Sequence, residues 1–89
     1  MTQQEFNKKY VKYIEPGFYA LAFNIPEVTN YLDNCFDKFI NQYDFKIMQI
    51  KIKWDYCRIY CDGIPKEVIE EMENNINEIN KRTDFGTKI

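Results

Sequence analysis

Residues 45–63, FKIMQIKIKWDYCRIYCDG, limit what this chain can fold into more than any other stretch, because only there do apolar residues alternate with polar ones at the strand period of two. Ile50, Ile52 and Trp54 fall on one face, with Lys51 and Lys53 on the other. Past a reversal, Cys57, Ile59 and Cys61 alternate with Tyr56, Arg58 and Tyr60, which makes the stretch a hairpin. With Asp55 and Tyr56 as the two loop residues, the cross-strand pairs are Trp54 with Cys57, Lys53 with Arg58, Ile52 with Ile59, Lys51 with Tyr60 and Ile50 with Cys61. This register keeps every apolar residue on one face, and a slip of one would move them all. Tyr56 suits a tight turn poorly, since such turns want a positive φ, so a longer or bulged loop is the alternative. Two cations directly opposite each other, here Lys53 and Arg58, cost up to ~1 kcal/mol unless an anion sits between them. That anion is either a glutamate of a neighbouring helix or part of a partner.

The remainder reads as helix. Thr2 with Glu5 forms a capping box, after which Phe6, Tyr10, Tyr13 and Ile14 share one face, predicting a helix over 3–14 with Lys8, Lys9 and Lys12 on its exposed sides. Glu15, Pro16 and Gly17 break it. Residues 18–25 fit a short helix or irregular buried segment first and an extra strand second, because Tyr19, Leu21, Phe23 and Ile25 also alternate. From Pro26, the residues Val28, Tyr31, Leu32, Cys35, Phe36, Phe39, Ile40 and Tyr43 follow helical spacing without a miss, ending between Asn41 and Tyr43. Asp62 and Gly63 turn the chain, Pro65 opens a last helix to about Lys81, and Val68, Ile69, Met72, Ile76 and Ile79 make its apolar stripe. Residues 83–89 read as a loosely held tail. The class is therefore α+β: a small antiparallel hairpin sheet of two strands, or three with the ambiguous segment, packed on about three helices in the order α-(α or β)-α-β-β-α.

Composition sets limits. At 89 residues the chain makes one domain, 1–89, able to bury ~60–65 per cent of its unfolded surface. With 29% charged and 45% hydrophobic residues it is not a disordered chain, and no apolar run nears the ~18 residues of a membrane span. Its start, MTQQEFNKKYVKY, lacks the apolar centre of a signal peptide. Three cysteines is an odd number, and Cys57 and Cys61 would lie ~13 Å apart along one strand, so reduced, buried thiols in the cytoplasm are expected. Abundant Ile, Asn, Lys, Tyr and Phe hint at an AT-rich bacterial or viral coding sequence. Formal charge is −2, +2 and −2 over residues 1–44, 45–63 and 64–89, which makes the hairpin a basic strip on an acidic protein.

The run from Lys51 through Lys53, Trp54, Arg58 and Tyr60 resembles the KxKFGGLRFY-type signature of small uncharacterised bacterial and phage proteins, in which a Gly-Gly hairpin precedes one helix. The resemblance covers about the last forty residues and implies no established activity. Asp55 and Tyr56 stand where the pattern has two glycines, and no cysteine pair follows the helix, departures that bear on the turn and on any zinc role.

Catalysis is not expected. There is no histidine, which excludes Ser-His, Cys-His and histidine-metal sites, and no glycine-rich phosphate loop. Glu67, Glu70 and Glu71 crowd the start of the last helix, where they suit its dipole better than a metal, and Asp33 with Asp37 has the ordinary texture of an exposed helix face. Neither cofactor nor metal is anticipated. The leading expectation is a protein-binding module, such as a phage or mobile-element antagonist of a host defence system. The alternative is a binder of nucleotide or single-stranded nucleic acid. In either case Lys51, Lys53, Tyr56, Arg58 and Tyr60 form the surface, unless it is merely solvated or covered by the first helix.

Overall fold

A computed structural model describes residues 1–18, 20–54 and 56–83, leaving aside the side chains of Asn80, Arg82 and Thr83. Residues 84–89 of the expected tail, Tyr19 and Asp55 lie outside the described residues, while Thr83, expected in that tail, is the last residue of the final helix. The elements are α1 (Gln3–Lys9), a 3-10 turn (Val11–Tyr13), α2 (Pro26–Phe39), β1 (Lys46–Lys53), β2 (Tyr56–Asp62) and α3 (Lys66–Thr83), an α+β fold with a two-stranded antiparallel sheet. No helix among the described residues is long and apolar enough to cross a membrane.

The capping box forms as expected, with Thr2 Oγ1 accepting from the Glu5 N–H at 3.1 Å and Glu5 Oε1 accepting from the Thr2 N–H at 2.9 Å. The helix nevertheless stops at Lys9 rather than Ile14. Ile14 is needed in an extended conformation, because it bridges in parallel to Ile47 and lets the Glu15 N–H donate to the Ile47 carbonyl at 2.9 Å.

Residues 14–15 and 20–22 lie beside β1 without becoming a strand. They touch it at two isolated parallel bridges, Ile14 to Ile47 and Leu21 to Ile50. Seven steps of this segment span only three of β1, and the excess turns out at Pro16 and Gly17, whose φ is +92°. An irregular segment rather than a helix forms over the described part of 18–25, buried at Ala20 and Leu21 but exposed at Phe18 and Ala22: Ile50 donates to the Ala20 carbonyl, and the Ala22 N–H donates back to Ile50 at 2.9 Å. The outward side of Leu21 is satisfied by α1, since Asn7 Oδ1 accepts its N–H at 2.9 Å and Gln3 Nε2 donates to its carbonyl at 2.8 Å.

The hairpin has a different register from the one read in the sequence. Lys53 pairs with Tyr56, Ile52 with Cys57, Lys51 with Arg58, Ile50 with Ile59, Gln49 with Tyr60, Ile47 with Cys61 and Lys46 with Asp62, with a bulge between Ile47 and Gln49. The expected loop at Asp55 and Tyr56 and the expected pair Lys53–Arg58 are both corrected: the strands reverse one residue earlier, after Lys53, and Lys51 faces Arg58. The cause lies at the open end. Gly63, with φ +90°, packs against the backbone of Asp44 and Phe45, which anchors the strands there, and the bulge absorbs one residue before the turn. The bulge also lets Ile47 and Ile50, three apart, both point into the core. Since the change is by two, the residues that stay paired between Gln49 and Tyr60 keep their expected faces, and Trp54 alone leaves the ladder for the turn.

α3 closes the outer edge of β2. Glu73 Oε2 accepts the Ile59 N–H at 2.9 Å, and Asn77 Oδ1 lies 3.5 Å from the Cys57 nitrogen. Four helical residues rise ~6.0 Å and two strand residues ~6.6 Å, so side-chain oxygens four apart on the helix can serve N–H groups two apart on the strand. The apolar face of the sheet meets Met72, Ile76 and Ile79 of α3 and Val28, Leu32 and Phe36 of α2 in one core.

Asp33 is more than helix-face texture. Tyr10, fully buried, places its hydroxyl 2.6 Å from Asp33 Oδ1, and Lys9 Nζ lies 2.8 Å from the same oxygen, pinning α1 to α2. Burial by itself would raise the Asp33 pKa, but the hydrogen bonds from Lys9 and Tyr10 outweigh it and hold the carboxyl below its ordinary value. A carboxyl depressed on folding contributes stability that is complete above the unfolded value, near ~3.9, and is lost as pH falls through the folded one. Asp33→Asn is therefore expected to melt below the parent at pH 7, with the gap closing as pH falls toward 2. A gap that is constant with pH would contradict this role.

Candidate binding site on the hairpin

The face of the hairpin turned away from the helices carries a grid of three cross-strand pairs: Gln49–Tyr60, Lys51–Arg58 and Lys53–Tyr56. The five residues singled out in the sequence, Lys51, Lys53, Tyr56, Arg58 and Tyr60, are brought together with Trp54 around one shallow depression of about 380 Å³. The first helix does not cover it, for Tyr60 is 46% exposed and Trp54 88%.

At the centre of the grid two cations stand opposite each other. Their repulsion, up to ~1 kcal/mol, is relieved by leaning apart: Lys51 Nζ lies 5.5 Å from the centre of the Tyr60 ring, and Arg58 Cζ lies 4.6 Å from that of Tyr56. Each such contact at an exposed site returns ~0.5–1 kcal/mol, enough to hold the arrangement together but without neutralising either charge. Ion pairs among the described residues join Lys9, Lys66 and Lys81 to helix carboxylates, and none reaches Lys51, Lys53 or Arg58. Glu70 and Glu73 of α3 line a neighbouring depression together with Arg58 and Tyr60, but neither forms an ion pair with Arg58, and Glu73 accepts the Ile59 N–H.

Trp54 is the residue sequence reading missed. Alternation put it inward beside Ile50 and Ile52, whereas the observed turn carries it to the tip of the hairpin with φ +57°. A bulky side chain in the left-handed region costs ~1–2 kcal/mol, and such outliers cluster at functional sites. A signal for it existed. Phe45 and Ile47 keep one phase and Ile50 and Ile52 the other, which announces a bulge, and counting inward from the open end, with Lys46 opposite Asp62 and one bulged residue, brings the turn to Trp54.

The thiols lie elsewhere. All three are free, but only Cys57 is fully buried, while Cys35 and Cys61 are half-buried, a correction to the expectation that all three are buried. Burial pushes Cys57 and Cys61 each up to about 12 and raises Cys35, which keeps these sulfurs protonated and weakly nucleophilic near pH 7. Glu67, Glu70 and Glu71 are exposed on α3, with Glu70 3.9 Å from Lys66. Compared with family models, curated proteins and solved structures, the chain matches none.

Proposed function

We propose that the chain is a small non-enzymatic binding module that receives an anionic partner on the exposed face of its hairpin. The observation that carries this reading is the directly opposed pair Lys51–Arg58, which no ion pair among the described residues joins to a carboxylate. The two ring contacts offset the repulsion but leave both charges unneutralised, and an anion docked between them is attracted by both. The strained, exposed Trp54 at its edge supplies an apolar contact for the same partner.

Two narrower readings share this surface. Trp, Tyr and Arg are the residue types that dominate protein–protein hot spots, which suits a host protein met by a phage or mobile-element antagonist. Protein interfaces, however, put apolar residues at the centre and charge at the rim. Here the charges are central and the rings lie around them, a layout that suits phosphate recognition better.

Tripolyphosphate, a compact anion without bases, tests the reading common to both. At ten times its Kd it should stabilise the protein by about 1.4 kcal/mol and raise Tm by roughly 6–11 °C. The variant carrying Lys51→Glu and Arg58→Glu should remain folded and show no rise. A parent Tm indifferent to the anion would refute the proposal.

A further inference from the structure

We infer that the anionic partner is single-stranded nucleic acid, a backbone phosphate seated between Lys51 and Arg58 and bases stacked on Trp54 and Tyr60; this rests on the reading of the hairpin face as an anion site. Cationic and aromatic side chains interleave on one uncovered ribbon, the combination by which single strands are held without base-edge readout. Same-face neighbours along a strand are ~6.6 Å apart, so Lys51 and Lys53 can follow successive groups of a backbone while Arg58 closes on it from the other strand.

The rings divide into two kinds. Tyr56 already has Arg58 stacked at 4.6 Å, and a guanidinium laid on a ring offers its own plane to a base. Trp54 is 88% exposed and holds its indole clear of the fold at the hairpin tip, so stacking a base on it displaces water alone. The positive φ is what a tight turn asks of this position, but the exposure of so large a ring serves no packing purpose. Duplex DNA fits less well, because its bases are already stacked and its dense charge meets a protein of formal charge −2. Three cations suffice for a short stretch of single strand, and they predict its salt dependence: log K should fall against log salt with a slope of about −2, at roughly −0.7 per neutralised phosphate.

The probe is a deoxythymidine decamer, whose bases stack poorly on one another and so compete little with the protein. Trp54 is the only tryptophan, so its fluorescence reports the site. The decamer should quench it with the stated slope, Lys51→Gln should bring the slope to about −1.4, and duplex of the same length should bind more weakly. Trp54→Ala, followed with a labelled decamer, should bind about ten-fold or more weakly while keeping the parent's affinity for tripolyphosphate. Tighter binding of poly-glutamate than of the decamer at equal charge would overturn the inference in favour of an acidic protein surface. Binding of tripolyphosphate with no quenching by the decamer would overturn it and leave the anion site standing, whereas failure of both ligands would remove the anion site as well.

Discussion

Phe36→Ala should destabilise the protein by about 3–5 kcal/mol, a large share of the ~5–15 kcal/mol available to a domain of ordinary stability. Phe36 is fully buried, and its ring centre lies 6.1 Å from that of Phe6, 6.0 Å from Tyr10, 5.6 Å from Phe39 and 5.5 Å from Phe45. It therefore joins α1, α2 and the entry to β1 through one residue. The cavity left by its removal cannot close easily. Tyr10 is held by its hydroxyl at Asp33, and Phe45 is stacked on Tyr13 at 5.0 Å, so neither ring is free to slide inward. Trp54→Ala removes a larger ring, yet at 88% exposure that ring buries little, so its Tm should stay within a few degrees of the parent. Denaturant unfolding of both variants checks the contrast, and equal midpoints would mean that the core is not centred on Phe36.

Gly63→Ala should cost about 2–5 kcal/mol, from the left-handed backbone together with overpacking. A Cβ at this position would collide with the Asp44 carbonyl and come within 2.9 Å of Phe45 Cα, both of them backbone atoms that cannot rotate away. Gly17→Ala is the matched control. Its φ is +92°, but a Cβ there would meet nothing within 4 Å, so only the conformational cost of ~1–2 kcal/mol applies. The difference between the two variants measures how firmly the open end of the hairpin is clamped, and a Gly63→Ala protein no less stable than Gly17→Ala would remove the anchor to which the register is attributed.

The helices were legible because their patterns are local. Val28, Leu32, Phe36 and Phe39 all prove buried in α2, and Met72, Ile76 and Ile79 in α3, since amphipathic spacing alone decides which face a helix hides. What escaped depends on partners distant in sequence. The early end of α1 follows from a bridge to Ile47, and the course of residues 20–22 follows from hydrogen bonds to Ile50. The hairpin register follows from the contact of Gly63 with Asp44 and from one bulged residue, neither of which alternation reveals. The candidate face stays whole because a change of register by two preserves parity. Lys51, Lys53, Tyr56, Arg58 and Tyr60 stay together, while the opposed cations become Lys51 and Arg58 and the turn brings Trp54 beside them.

The most direct measurement is a two-dimensional amide spectrum of the labelled protein titrated with the deoxythymidine decamer. The account predicts shifts confined to residues 49–60, largest at Lys51, Arg58 and the Trp54 indole, with the amides of α3 unmoved. Shifts centred on α2 or α3, or a spectrum unchanged at saturating decamer and tripolyphosphate alike, would contradict the hairpin face as the binding surface.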